Sequence, residues 1–152
     1  MRPLIIVGNW KMNGNLASNE DWIKTVARGM DSGMPAGRKF VVCPPFPYLA
    51  QCASLIKEHS LAFLGLGAQD ASAQSSGAYT GESSAAMLKE LGCEYVIVGH
   101  SERRQMHYEA DETIAAKALQ VLDSGMTPII CVGETADERN SMSYAHQPFH
   151  QH

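Results

Sequence analysis

The sequence contains no run of about 18 apolar residues, the length a membrane-crossing helix requires. Its opening, Met1-Arg2-Pro3 followed by Leu4 to Val7, is interrupted by Asn9 and Lys11 before it reaches the length of a secretion-signal core. No basic cluster is present either. The 12 lysines and arginines are scattered among 16 acidic residues, with Arg103 and Arg104 standing together, which argues against nucleic acid as a partner. Cysteine is sparse and has no CxxC spacing: Cys43, Cys52, Cys93 and Cys131 mostly lie inside apolar segments, as small buried hydrophobes in a reducing compartment do. A cytoplasmic protein with no membrane partner is expected.

What is present is a globular composition, 45% hydrophobic and 18% charged, organised as an alternation. Five apolar runs rich in branched residues read as strands: Leu4 to Val7, Phe40 to Cys43, Ala62 to Leu66, Tyr95 to Val98 and Thr127 to Val132. None alternates apolar with polar, the pattern of parallel strands covered on both faces. Helical spacing fills the intervals over Ser18 to Met30, Pro47 to His59, Ser83 to Leu91 and Glu112 to Asp123. In the last of these, Ile114, Ala118 and Leu122 fall on one face, widened by Ala115, Ala116 and Leu119. Gly92 and Gly125 follow helical segments where a left-handed residue ends a helix. The order β, α, β, α with right-handed crossovers defines an α/β protein.

An open doubly wound sheet and a closed barrel share that order, and both bind ligands at the carboxyl ends of the strands. Polar residues gather there: GNWKMN after the first run, GAQDASAQSSGAYTGE after the third, GHSERR after the fourth and GET after the fifth. A dinucleotide site calls for GxGxxG after the first strand, and Gly8 to Asn13 does not supply it. A barrel without cofactor is the better expectation.

The stretches Val7 to Asn13, Gly67 to Asp70 with Gly77 to Glu82, Val96 to Arg104 and Cys131 to Thr135 resemble the signatures of the triosephosphate isomerases, in order and at similar spacing, over about residues 1–140. The resemblance implies the first five βα units of a TIM (β/α)8 barrel. It further implies glycolytic and gluconeogenic interconversion of dihydroxyacetone phosphate and glyceraldehyde 3-phosphate through an enediolate, with no metal or cofactor. Moving a proton beside a carbonyl places negative charge on oxygen, which fixed donors must stabilise. Lys11 would face both the substrate phosphate and the developing oxyanion; taken alone it is a solvated lysine. Asn9 would add an amide donor, although by itself it is equally a turn residue. His100 would polarise the carbonyl as a neutral ring at the start of a short helix, and its bland alternative is a capping residue. In the family that His100 resembles, the helix terminus keeps this ring neutral, so the role is one that the resemblance implies.

Glu102 is similar to the family's glutamate beside the lysine, and a first-turn carboxylate stabilising its own helix is the competing reading. Glu134, the last carboxylate following a strand, is assigned to the start of the next helix instead of to proton abstraction. Asp70 to Glu82 is either a flexible connection or the loop through which the family dimerises, with Thr80 reaching toward the partner subunit and Arg103 bracing the loop. A homodimer and a triose phosphate substrate follow from the resemblance.

A complete barrel of this type has eight strands in about 250 residues, and five are expected here. The family's glutamate base, closing loop and glycine-rich phosphate turns have no counterpart in the sequence, so this chain alone is expected to be inactive. The alternative is a non-catalytic, phosphate-binding or self-assembling half barrel. Residues 141–152 shift in composition, with no acid and no lysine. That tail is expected to be disordered, and His146, His150 and His152 there to bind metal only adventitiously, Pro148 opposing a single helix that would present them.

Overall fold

A computed structural model of the chain describes residues 2–30 and 36–140. Its backbone is one parallel sheet flanked by helices. The strands are β1 (Leu4–Asn9), β2 (Arg38–Cys43), β3 (Leu64–Ala68), β4 (Tyr95–Val98) and β5 (Thr127–Ile130). The helices are α1 (Leu16–Gly29), α2 (Leu49–Glu58), α3 (Ala85–Glu90), α4 (Ser101–Met106), α5 (Asp111–Asp123) and α6 (Ala136–Asn140), with a 3-10 turn at Phe46–Tyr48 leading into α2.

The sheet order is β1-β2-β3-β4-β5, every pair parallel. A doubly wound sheet reverses its strand order at a switch point. This one does not, so the topology is that of a barrel built in sequence, and the chain forms the first five βα units of a TIM-type (β/α)8 barrel.

Register sorts the side chains onto two faces. Val41 lies opposite Val7 and Gly65, and Val42 opposite Gly8 and Leu66. Val42, Leu64, Leu66, Val96 and Val98 face the helices and pack with Ile23, Leu49, Cys52, Leu88, Ile114 and Val121 into the main core. Val41, Cys43 and Ile97 form a second cluster on the concave face, with Val7, Tyr95, Ile129 and Cys131 against them. The sheet's curvature brings this inner face together: a methyl added at Gly67 would lie 2.6 Å from the Cys43 sulfur.

That close approach explains one departure from the pattern reading. The third apolar run was expected at Ala62 to Leu66, but β3 is displaced two residues onward to Leu64–Ala68, taking in Gly67 as well as Gly65. Glycine disfavours strands in general; here it is what fits between β2 and β4. β1 likewise runs on to Asn9, making that residue the end of a strand instead of part of the following loop.

Local signals set the helix boundaries. Asn15 caps α1 through a reciprocal pair, its Oδ1 accepting from the Ser18 amide at 2.8 Å while the Ser18 hydroxyl accepts from the Asn15 amide at 3.2 Å. The Ser84 hydroxyl accepts from the Met87 amide and starts α3. Gly92 and Gly125 sit at φ +101° and +80° just past α3 and α5, as the sequence suggested. The face of α5 differs from expectation. Ile114, Lys117, Ala118 and Val121 are buried, whereas Leu119 and Leu122 are exposed. A buried lysine on that face is tolerated because two carboxylates meet it, as described below.

β1 and β5 are the edges of the sheet. Their apolar residues remain open to solvent, Leu4 at 56%, Ile6 at 44% and Ile130 at 50% exposure, as expected of the end strands of a five-stranded part of a barrel.

Candidate active site at the carboxyl ends of the strands

Asn9 ends β1 opposite Cys43, and its side-chain oxygen accepts a hydrogen bond from the Lys11 amide at 2.9 Å. Lys11 is held at φ +56°, a left-handed backbone rare for a residue with a long side chain. Its carbonyl accepts from the side-chain amide of Gln69, just past β3, at 2.7 Å, and the same amide nitrogen donates to the Cys43 carbonyl at 2.9 Å. One side chain therefore ties the ends of β1, β2 and β3.

From that backbone the Lys11 ammonium reaches Glu102 on α4, 2.8 Å from Oε1. This hydrogen bond, backed by the nearby His100 ring, holds the Glu102 carboxyl below its ordinary range against the opposing effect of desolvation. His100 caps α4. Its Nδ1 accepts from the Glu102 amide at 3.1 Å and lies 3.5 Å from Glu102 Oε2. A ring whose Nδ1 accepts from an amide carries its proton on Nε2, and so presents an N–H donor on the far side of the imidazole. The structure thus brings Asn9, Lys11, Glu102 and His100 together at the carboxyl ends of β1 and β4.

Arg104 locks this end of the sheet. It donates to the carbonyls of Gly99 and Cys131, at the ends of β4 and β5, and pairs with Asp111 at the start of α5. Arg103 points elsewhere, into an ion network. Its Nε lies 2.7 Å from Glu109 and 3.2 Å from Asp70, while the Lys117 ammonium lies 2.5 Å from Glu109 and 2.9 Å from Asp70. Burial pushes Asp70 above the usual aspartate range despite the Lys117 bond. Burial also pushes Glu109 upward, but hydrogen bonds from Lys117 and Arg103 outweigh it and leave that carboxyl below its ordinary value.

Asp70 opens the long loop before α3, so Arg103 links α4 to the root of that loop. Thr80 lies exposed in the loop, far along the chain from this anchor. Glu134 pairs with Arg139 of α6, while the α6 cap itself is Thr135, whose hydroxyl accepts from the Glu138 amide. Among the described residues no group of three or more His, Cys, Asp or Glu side chains is arranged to hold a metal ion. His146, His150 and His152 lie outside the described residues.

Gln69, Arg104, Glu109 and Lys117 are not among the residues expected at the site from the sequence. Gln69 carried a usable signal, since it follows a strand at the same end as Asn9 and His100. Lys117 carried another, a charge three residues after Ile114 on an apolar helix face.

A parallel sheet with no reversal of strand order, bearing an ammonium, a carboxylate and an imidazole together at its carboxyl end, defines a barrel-type α/β protein with a polar cluster where such barrels bind their ligands. The comparisons narrow this class. The family model described as Triosephosphate isomerase matches residues 4–151. The triosephosphate isomerase of Polynucleobacter asymbioticus is 83% identical over 141 residues, 93% of this chain and 56% of that protein. That of Polynucleobacter necessarius is 79% identical over the same shares, and that of Cupriavidus necator 49% identical over 93% of this chain and 54% of its own length. The chain belongs to the triosephosphate isomerase family. It spans about half the length of the curated relatives it matches.

Proposed function

We propose that this chain carries the electrophilic half of a triosephosphate isomerase site, and that the protein to which it corresponds interconverts dihydroxyacetone phosphate and glyceraldehyde 3-phosphate in the cytoplasm. The observation that supports this most is the Lys11–Glu102–His100 cluster, with Nδ1 of His100 engaged by the Glu102 amide. In the proposed reaction a carboxylate removes a carbon-bound proton next to the carbonyl, and the electron pair moves onto the carbonyl oxygen. The Nε2–H of His100 donates to that oxygen, and the ammonium of Lys11 stabilises its charge together with the substrate phosphate. A proton then passes from the adjacent hydroxyl to that oxygen by way of the His100 ring, and the carboxylic acid returns its proton to the former carbonyl carbon, which completes the isomerisation without a cofactor.

Asn9 contributes an amide and fixes the Lys11 backbone. Glu102 orients Lys11, and Lys11 holds it ionised. The proton-abstracting carboxylate, the covering loop and the backbone phosphate turns are assigned to the remaining length of the relatives, so this chain alone is proposed not to turn over. Thr80 and Arg103 are assigned to the dimer contact of the longer protein, Arg103 through its bridge to Asp70 at the base of the loop.

The test joins residues 1–140 to the carboxyl-terminal remainder of the Polynucleobacter asymbioticus protein and measures triose phosphate interconversion. Removing one oxyanion donor costs on the order of 10²–10³ in kcat, so His100→Gln in the joined protein is expected to lose that much. Full activity in that variant would defeat the assignment.

A second reading, a non-catalytic half barrel that assembles through its edges, is favoured by the exposed Leu4, Ile6 and Ile130. It predicts no turnover in the joined protein.

A further inference from the structure

Lys11 combines two features that do not ordinarily occur together. Its side chain is long and half exposed, with many accessible rotamers, and its backbone occupies a left-handed conformation that lysine seldom adopts. Such a conformation persists only where its surroundings over-determine it. Here both sides of the residue are pinned. The amide is held by Asn9, the carbonyl by Gln69, and the preceding Trp10 amide donates to the same Cys43 carbonyl that Gln69 reaches, at 3.1 Å.

We infer that Gln69 is a positioning residue for Lys11: by bridging the Lys11 and Cys43 carbonyls it fixes the left-handed turn after β1 from which the ammonium meets Glu102. It touches no reacting atom. The inference rests on the proposed role of Lys11 for its functional meaning, but the clamp itself can be tested without turnover.

The chemistry of Gln69 suits the task. Its two carbonyl partners both require a donor, and a single side-chain nitrogen supplies both bonds. Glutamate at this position would set a carboxylate against two carbonyl oxygens. Asparagine is one methylene shorter and cannot span both. Methionine keeps the length and has no donor at all.

Glu102 reports on the outcome, because its carboxyl is held low chiefly by the Lys11 hydrogen bond. The charged and titratable groups acting on it are Lys11 and His100. The experiment follows the carboxyl carbon of Glu102 by NMR across a pH titration of the 152-residue chain, in wild type, Gln69→Met, Gln69→Asn and a Lys11→Met control. In the control the Glu102 midpoint should rise toward the ordinary glutamate range. The clamp predicts a rise in the same direction in both Gln69 variants, with the amide spectrum of the core strands preserved.

A Glu102 midpoint unchanged in the Gln69 variants while Lys11→Met moves it would overturn the inference. Loss of the folded spectrum in both variants would overturn it too, in favour of a purely structural role. Inactivity of the joined protein described above would bear on the proposed reaction only, so the two failures are distinguishable.

Discussion

Lys117→Met is the most demanding perturbation of the ion network. The Lys117 side chain is only 7% exposed, and its ammonium is shared between Asp70 and Glu109, themselves 15% and 6% exposed. In the wild type two cations face two carboxylates. The variant leaves Arg103 alone with both, a net charge of one carboxylate in a poorly solvated site. Removing one partner of a buried pair costs about 3–5 kcal/mol. Arg103 still bonds both acids and methionine keeps most of the lysine stem, so the lower end, about 3 kcal/mol at pH 7, is expected.

The pH dependence sharpens this prediction. Asp70 is already raised by burial. An acid whose folded pKa exceeds its unfolded one binds its proton more readily when folded, so its contribution to stability grows as pH falls and is lost as pH rises through the folded value. Losing Lys117 raises Asp70 further, and one proton restores neutrality. The deficit should therefore shrink between pH 7 and about pH 5, which lies above the ordinary aspartate range of about 4. Glu109 has the opposite sign in the wild type, contributing stability above the ordinary glutamate range and losing it in acid. Urea unfolding at both pH values provides the assay. With slopes of about 1–3 kcal/mol/M, a 3 kcal/mol loss moves the midpoint by about 1 M or more. A loss below about 1 kcal/mol at pH 7, or one that does not change with pH, would refute the reasoning.

Two further predictions concern the sheet. In Gly67→Ala the new methyl would meet the Cys43 sulfur at 2.6 Å, Val41 Cγ1 at 3.1 Å and the Tyr95 carbonyl at 3.3 Å. Overpacking costs about 1–3 kcal/mol, and the reduced freedom of the unfolded chain offsets about 0.4–1 kcal/mol. A net loss of about 1–2 kcal/mol is expected in the same urea assay, partly recovered by Cys43→Ala alongside; equal stability of Gly67→Ala and wild type would contradict it. The open edges at β1 and β5 predict concentration-dependent association in sedimentation velocity, weakened by Ile130→Lys, because unpaired strands with exposed apolar residues template further pairing. A sharply unfolding monomer at all concentrations would count against it.

The fold was legible where one physical requirement dominated. Strands covered on both faces need continuous apolar residues, so β2 and β4 stood out as FVVC and YVIV. The glycines after α3 and α5 announced left-handed turns. β3 was misplaced because its glycines answer to contacts across the barrel interior, from Cys43 and Tyr95, which lie far away in sequence. The exposed side of α5 was misjudged for a similar reason: Lys117 is buried by partners contributed from residues 70 and 109, and no helical periodicity encodes that pairing.

The site divides in the same way. Asn9 ends β1, and Lys11 and His100 follow strands, all three in recognisable motifs. Gln69 follows a strand and so carries a hint of its place, but what Gln69 and Arg104 hold, the backbone carbonyls at the strand ends, is visible once β1, β2, β4 and β5 are side by side.

The ring nitrogens of His100 offer the most direct measurement of the electrophilic half-site. In nitrogen-15 NMR of the folded chain near pH 8, Nε2 is predicted to carry the proton and Nδ1 to resonate as an unprotonated acceptor, in line with its bond from the Glu102 amide. The reverse tautomer, with the proton on Nδ1, would leave no N–H donor to meet a developing oxyanion and would contradict the role proposed for this residue.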